Sequence, residues 1–313
     1  MAAMAFLLAS CAGEEEVTTP ADSLKGKPIN VDVLVSDIKT RAGYDTDNLP
    51  TKFYLTIDQD GTEYDYTNVV MKYEEGKWVA YASDAADAAK KEMSWAGSTG
   101  TIAVKAATFS LTSKSTPLNA LTDQSKAEGI KASDHLYYSS NAVTPSENGT
   151  ISIPLNHIMS KLEIKVTLRN QYGASETNPI TSAIAFGSAT SATYSPAEAT
   201  PWSNYNSAVP DISLCSSGSY SAAERTATYE AILIPQTIDD RRKYLRSESD
   251  DWHQVLHMDI RQCRHVRRRQ EIHPESYLGQ GRTHSQHTLC QQLERKNIHR
   301  IKCRTHSLCH FHG

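Results

Sequence analysis

The sequence predicts an all-β protein with two antiparallel β-sandwich domains and a poorly ordered C-terminal tail. Three observations support this fold class. Short segments in which apolar and polar residues alternate recur along the chain, as in strands with one buried face. No long amphipathic helices alternate with them, which argues against a parallel sheet covered by helices. The 313 residues are also enough for two domains of about 150 residues each.

The first strand is predicted over Ile29–Ile38. Its alternate positions carry apolar, mostly β-branched side chains, while the positions between them are mainly polar, so one face is expected to be buried. The apolar set is Ile29, Val31, Val33 and Val35. Further strands with the same alternation are predicted at Phe53–Ile57, Ile102–Ala106, Ile151–Leu155 and Leu162–Leu168.

Turn signals and one Ala-rich segment complete the first sandwich domain, to which we assign residues 28–170. Glu75-Gly76 predicts a hairpin turn that joins Val69–Tyr73 to Lys77–Tyr81. Residues Asp84–Met93 are rich in Ala and Lys, and we expect one short helix there.

A polar, turn-rich stretch from Asn170 to Pro179 predicts a domain boundary, and residues 171–240 are assigned to the start of a second sandwich. Strand signals return at Ile180–Phe186 and at Tyr229–Ile234. The segment Ala189–Ser221 between them is long and polar. It fits short strands of the second sandwich and equally a mobile loop.

Charge divides the chain after Asp240. Residues 1–240 carry 17 basic and 29 acidic side chains, a net charge of −12, whereas residues 241–313 carry 15 and 7, a net charge of +8. This His-, Arg- and Cys-rich tail has few β-branched residues and no clear period, which predicts poor order. A shifted reading frame accounts for the change: synonymous codons for Arg264–Gln286, read one nucleotide later, can encode an alternating strand. The second sandwich is therefore expected to be incomplete.

The N-terminus resembles the end of a bacterial lipoprotein signal peptide over residues 1–10. Leu8-Ala9-Ser10 precede Cys11, the residue that such a signal would leave lipidated, and the lack of a basic segment indicates a truncated signal. Residues 11–27 form an acidic linker whose triplet Glu14–Glu16 resembles a surface-export signal of Bacteroidetes lipoproteins. These resemblances imply a lipid anchor in the outer membrane. The alternative is an incidental cysteine in a disordered N-terminus.

No pattern of residues predicts catalysis, so no catalytic residue, cofactor or metal is assigned. His157 has no Asp or Cys at a supporting spacing, which favours a structural role. Cys215 has no partner within residues 12–240 and is interpreted as an unpaired thiol. In the tail, the spacing of Cys303 and His306 fits no zinc motif, and Arg267–Arg269 has no aromatic neighbours for nucleic-acid binding.

Five short motifs follow one another between Lys39 and Thr237. They are Lys39-Thr40-Arg41-Ala42-Gly43, Lys52-Phe53-Tyr54-Leu55, Gly76-Lys77-Trp78, Pro154–Leu162 and Ala231–Thr237. Together with the lipoprotein cysteine, they resemble the fimbrillin family of Bacteroidetes, the subunits of type V pili. The resemblance implies two transthyretin-like sandwiches and a structural, non-enzymatic role in an adhesive surface fimbria.

The same resemblance implies how such a subunit assembles with other pilus subunits. An arginine-specific protease would cut after Arg41 and leave Ala42 as the new N-terminus. The strand before the cut would then give way to a donor strand of another subunit, which pairs with the exposed sheet edge. The residues replaced would be Ile29, Val31, Val33 and Val35.

Two other function classes stay open. One is a surface lipoprotein that binds a glycan or another ligand and never polymerises, with Tyr194, Trp202 and Tyr205 as an aromatic platform. The other is a secreted hydrolase, for which the sequence offers no acid–base or nucleophile arrangement.

Overall fold

The computed structural model describes residues 24–35, 43–59, 63–97, 101–168, 177–178, 180, 182–208 and 210–236, and the backbone of two tail strands. Within these residues the chain forms one short helix, α1 (Ala127–Ser133), and otherwise strands and loops. The strands are β1 (Asn30–Val35), β2 (Lys52–Asp58), β3 (Tyr66–Glu74), β4 (Lys77–Tyr81), β5 (Ile102–Ala107), β6 (Thr116–Asn119), β7 (Leu136–Val143), β8 (Thr150–His157), β9 (Ser160–Leu168), β10 (Ser182–Phe186), β11 (Ser191–Tyr194), β12 (Trp202–Ser203), β13 (Ile212–Ser213), β14 (Cys215–Ser216), β15 (Thr226–Leu233), β16 (Val255–Asp259) and β17 (Ile298–Ser307).

The predicted all-β, sandwich-like fold is confirmed. Seven strands form one sheet in the order β1-β8-β7-β5-β2-β3-β4. Its two edge strands, β1 and β4, come within 8 Å of each other between Cα atoms, so the sheet curls around its apolar face. That face forms the first core, whose fully buried members include Phe53, Leu55, Val104, Leu136, Ile151, Ile153 and Leu155.

The hairpin between β3 and β4 is confirmed where Glu75-Gly76 predicted it. Both turn residues have positive φ, 48° at Glu75 and 83° at Gly76. Two central residues with positive φ are typical of the type I′ turn, whose twist matches that of paired strands. Glycine at the second position adopts this backbone without a steric penalty.

The helix predicted at Asp84–Met93 is wrong. This segment turns and folds back on β4, where Lys91 N donates to Ala80 O at 2.8 Å and Ala82 N donates to Ala89 O at 3.0 Å. Backbone hydrogen bonds to a neighbouring strand satisfy the groups that a short helix would leave unpaired at its ends.

The helix that the structure does contain, α1, lies where no helix was predicted. It is seven residues long and its N-cap, Lys126, makes no side-chain capping bond. Gly129 lets α1 pack closely on the preceding loop, since a Cβ atom there would lie 2.3 Å from Asp123 O. Tertiary packing therefore stabilises this helix, because its local sequence signals are weak.

Two further cores lie on the two faces of a second sheet, β14-β15-β9-β17. On one face, β9 and β15 pack against β10 and β13 in a core that includes Leu162, Ile164, Val166, Ala185, Ile212 and Ala231. On the other face, the segment with β6 and α1 packs with β11 and β12 in a core that includes Leu118, Ile130, Met159, Tyr194, Trp202 and Ile232.

The chain passes from the first sheet to the second between His157, the last residue of β8, and Ser160, the first of β9. The range 28–170 that was assigned to the first domain therefore includes β9, which pairs with β15 over eight residue pairs. Residues 169–176, where the boundary was predicted, lie outside the described residues. Alternation of apolar side chains marks a strand but does not specify the sheet that it joins.

The tail supplies two strands that the sequence did not predict. β16 pairs in parallel with β10, and β17 pairs antiparallel along the whole of β9. An open sheet edge presents unpaired backbone donors and acceptors, which a further strand satisfies. The rest of residues 241–313, and with it the predicted poor order, lies outside the described residues.

The described residues include no helix with the length and apolar character needed to cross a membrane.

Candidate functional site

β1 is the part of the predicted site that the structure describes. All six of its residues pair in parallel with β8, from Asn30 opposite Thr150 to Val35 opposite Leu155. β1 is the last strand at this side of the sheet, and within the described residues β8 is the one strand that pairs with it. The parallel pairing differs from the antiparallel arrangement expected for the sandwich.

The side chains of β1 alternate as the sequence predicted. Val33 and Val35 are 3% and 4% exposed and, with Ile29 just before the strand, belong to the first core. Val31 is half-buried against the same core. The positions between them face outward: Asn30, Asp32 and Leu34 are exposed.

The residues before β1 bind a second partner, the segment Met93–Trp95. Gly26 N donates to Trp95 O at 2.9 Å and Ile29 N donates to Met93 O at 2.8 Å, while Trp95 N donates back to Lys27 O at 3.0 Å. Leu24, Met93 and Trp95 are buried in the first core. Residues 24–35 therefore form a continuous segment that is hydrogen-bonded to Met93–Trp95 and to β8 and that covers the apolar face of the first core.

Gly149 lies in close contact with both this N-terminal segment and Trp95. Its carbonyl accepts hydrogen bonds from Asn30 N at 3.1 Å and from Trp95 Nε1 at 3.0 Å. Gly149 has a φ of +78°, and a Cβ atom there would lie 2.8 Å from Trp95 Nε1 and 3.2 Å from Pro28 O. The Asn148-Gly149-Thr150 sequence thus forms a tight turn that seats the first strand.

Three predicted site residues, Cys11, Arg41 and Ala42, lie outside the described residues. The structure does describe the chain directly after them. Asn48 Nδ2 donates to Gly43 O at 2.6 Å, and Lys131 Nζ on α1 donates to Asn48 Oδ1 at 2.9 Å.

Tyr44 ties the same segment to the first core. Its backbone N donates to Asp134 Oδ2 at 3.1 Å, and its ring is half-buried against the core. Burial, together with the nearby Asp134 carboxylate, raises the pKa of the Tyr44 hydroxyl, so this side chain stays neutral at physiological pH.

The structure brings an aspartate to His157 that sequence spacing did not reveal. His157 Nδ1 lies 2.8 Å from Asp134 Oδ1, and both side chains are almost fully buried. Asp134 thereby joins the end of β8 to Tyr44. The other ring nitrogen, His157 Nε2, is buried without a hydrogen-bond partner among the described residues. This arrangement matches the predicted structural role of His157, since Asp134 holds two separate segments together.

Cys215 is buried in the third core and is a free thiol. Burial raises its pKa, and the nearby carboxylates of Glu230 and Glu128 raise it further. A thiol that is kept protonated is a poor nucleophile.

No group of three or more His, Cys, Asp or Glu side chains with metal-binding geometry occurs in the described part of the chain.

The aromatic platform that the glycan-binding alternative requires does not form. Tyr194 and Trp202 are 6% and 9% exposed, because they pack together in the third core with ring centroids 4.9 Å apart. Tyr205 is 41% exposed, and its hydroxyl donates to Pro235 O at 2.9 Å. A sugar-stacking surface needs several exposed rings, and only one of the three is exposed.

Several solved structures are similar to this chain at low sequence identity. A candidate cell adhesion protein from Bacteroides uniformis is 11% identical, with a TM-score of 0.37, and the match covers 67% of this chain and 75% of the other. A fimbrial protein from Bacteroides ovatus is 15% identical, with a TM-score of 0.33 and coverages of 68% and 42%. No curated protein sequence matches the chain.

A family model described as fimbrillin-like matches residues 40–262, well over half of the chain. This range begins directly before Arg41 and covers the motifs around Trp78, His157 and Ile232 on which the resemblance was based. The chain belongs to the fimbrillin-like family.

Proposed function

We propose that this chain is a structural subunit of a cell-surface fimbria, a type V pilus with a role in adhesion, and that it assembles by proteolysis-triggered donor-strand exchange. Membership of the fimbrillin-like family supports the fimbrial role. The observation that carries the exchange mechanism is the position of β1, an edge strand whose inward side chains fill the first core while a single neighbouring strand holds its backbone.

Removal of residues 24–35 would open a groove with a defined chemistry. Its floor is the apolar face of the first core, and its walls are the free edge of β8 and the backbone of Met93–Trp95. A strand from another pilus subunit would pair with β8 by β-augmentation, and its alternate apolar side chains would replace those of the departing strand. Those four side chains are Ile29, Val31, Val33 and Val35.

The energy of β1 explains why its release requires a trigger. The buried side chains of Ile29, just before the strand, and of Val33 and Val35 contribute about 1.5–3 kcal/mol each, and about five ladder hydrogen bonds add about 1 kcal/mol apiece. The sum is on the order of 10 kcal/mol as an upper bound, which is comparable to the stability of a whole domain. β1 therefore stays in place until a cut severs its connection to the domain and a competing strand takes its position.

A cut between Arg41 and Ala42 by an arginine-specific protease would leave the chain after the cut attached to the domain that accepts the donor strand. The chain from Gly43 to Asn48 is fixed to α1 and to Asp134 by hydrogen bonds that involve neither β1 nor the residues before it. The new N-terminus would thus remain attached to the domain while the strand before the cut is free to leave.

The proposal also includes export as a lipoprotein anchored through Cys11 to the outer membrane, with the domains at the cell surface. Acyl chains on one cysteine provide the membrane affinity, since two or more chains give stable anchoring. No enzymatic activity, cofactor, metal or nucleic-acid partner forms part of this function.

Arginine-specific proteolysis tests the trigger. We expect the protease to release a large fragment whose N-terminal sequence is Ala42-Gly43-Tyr44. Arg41→Lys is the matched control, because it keeps the charge but removes the recognised side chain, and it should leave this bond intact. A first cut at another arginine of the folded domains, or equal cutting of the Arg41→Lys variant, would contradict the proposed maturation site.

A further inference from the structure

A buried lysine and a buried glutamate meet in the second sheet, outside the site described above. Lys161 Nζ on β9 lies 2.9 Å from Glu230 Oε2 on the neighbouring strand β15, and the two side chains are 4% and 2% exposed. A second carboxylate, Glu163 Oε2, lies 3.6 Å from the same Nζ and is 33% exposed. The three side chains occupy one face of the sheet, since Glu163 stands opposite Glu230 in the register.

The surroundings of this pair are apolar. Lys161 stands opposite Ile232, and Glu230 stands opposite Cys215, both of which are buried in the third core. Apart from the ion pair with Lys161, neither Glu230 carboxylate oxygen has a hydrogen-bond partner among the described residues. Burial of charges away from water is costly unless other groups compensate for the lost hydration, and here the ion pair with Lys161 is the compensation that Glu230 has among the described residues.

We propose that Lys161 and Glu230 condense to an intramolecular amide that links β9 to β15 covalently. Lys161 Nζ is already held 2.9 Å from an oxygen of the carboxyl group that it would attack, which supplies the proximity that an amine and a carboxylic acid lack in solution. Formation of the amide removes both buried charges and leaves a neutral group in the apolar core.

The reaction balances without an oxidant or an added reactant. A proton passes from the Lys161 ammonium to Glu230, directly or through Glu163, and gives a neutral amine beside a neutral acid. Lys161 Nζ then attacks Glu230 Cδ; the C–N bond forms, a C–O bond breaks, and the oxygen leaves as water with a proton from the acid and one from the amine. Glu163 is suited to relay these protons because it is close to Nζ and partly open to solvent.

The covalent link would change the mechanical properties of the second sheet. β9 and β15 form its central pair, hydrogen-bonded over eight residue pairs. With the amide in place, force applied along the chain cannot separate Lys161 from Glu230, and the residues between them are shielded from extension. This inference holds whether or not the chain polymerises.

Intact mass of the purified full-length chain tests the proposal. We expect a mass lower by one water molecule than that calculated from the sequence, and a linked pair of peptides after digestion that contains Lys161 and Glu230. Lys161→Arg keeps the charge and cannot form the amide, so its mass should equal the calculated one. Glu163→Gln should reduce the linked fraction in freshly made protein.

Lys165→Arg is the matched control on the same strand and face, because Lys165 is half-exposed and its carboxylate partner, Glu224, is exposed. This variant should keep the missing water. A wild-type mass equal to the calculated value would overturn the proposal without reference to any variant, and so would a linked peptide that joins other residues.

Discussion

At the scale of single residues, the two faces of the first strand differ in burial, and substitutions on them should differ in their effect on stability. Val33 is 3% exposed within the first core, whereas its neighbour Asp32 is exposed. Val33→Asp places an unpaired carboxylate in the core and should lower the free energy of unfolding by several kcal/mol. Asp32→Ser should change it by less than about 0.5 kcal/mol. Chemical denaturation of both variants compares them, and equal losses would contradict the assigned faces.

Gly149 and Gly76 form a second matched pair of positions. Both have positive φ, +78° and +83°, but a Cβ at Gly76 meets nothing within 4 Å, whereas a Cβ at Gly149 meets Trp95 and Pro28. Gly76→Ala should cost about 1 kcal/mol for the backbone conformation alone. Gly149→Ala should lower the free energy of unfolding by about 1–3 kcal/mol more, because the added methyl group overpacks against Trp95 and Pro28 and displaces the first strand. Thermal unfolding measures both, and a smaller loss for Gly149→Ala would show that the close approach is not tight.

Residue spacing could not reveal the contacts that join distant segments. His157 and Asp134 are 23 positions apart, one at the end of β8 and the other directly after α1, and they meet only in the folded domain. The contact of the Gln124 side chain with the backbone of Ile232 could not be predicted either, because one polar residue in a loop carries no periodic signal. Contacts of this kind depend on the tertiary arrangement, which alternation of apolar residues does not specify.

At the scale of secondary-structure elements, alternation predicted β1, β2, β5, β8 and β9, because each has one face in a core. It could not predict that β1 runs parallel to β8 or that β9 leaves the first sheet, since either pairing buries the same side chains. The short strands between Ser191 and Ser216 also lacked a signal, because two to four residues are too few to show a period.

Gln124 tests how the segment with β6 and α1 is joined to the second sheet. Its fully buried amide donates to Ile232 O at 2.8 Å and accepts from Ile232 N at 2.7 Å, so it continues the hydrogen-bonding pattern beyond the end of β14. Gln124→Leu leaves both backbone groups without partners and should lower the free energy of unfolding by about 2–4 kcal/mol. Hydrogen exchange should rise first at Ile232. Unchanged exchange there would contradict the assigned role.

At the scale of the whole molecule, the lipid anchor and the tail remain predictions. If Cys11 carries the anchor, Cys11→Ala should move the protein from the membrane fraction to the soluble fraction, because the acyl chains supply the binding energy. Fractionation of cells that express each form measures this, with Cys215→Ala as the control that should stay in the membrane fraction. Equal membrane partitioning of the Cys11→Ala variant and the wild type would contradict the lipoprotein prediction.

The nucleotide sequence around codons 236–245 tests the shifted-frame hypothesis for residues 241–313.

Strand exchange into the groove of the first sandwich is the central claim, and a peptide competition tests it most directly. The probe is a labelled synthetic peptide of residues 28–38, and its matched control carries Val33→Asp. Each peptide is incubated with intact chain and with chain cut after Arg41, below the denaturant concentration of the unfolding transition. We predict that the probe co-elutes only with the cut chain and displaces its N-terminal fragment, and that the control peptide does not bind. Equal binding of both peptides, binding to the intact chain, or no binding after the cut would contradict the account.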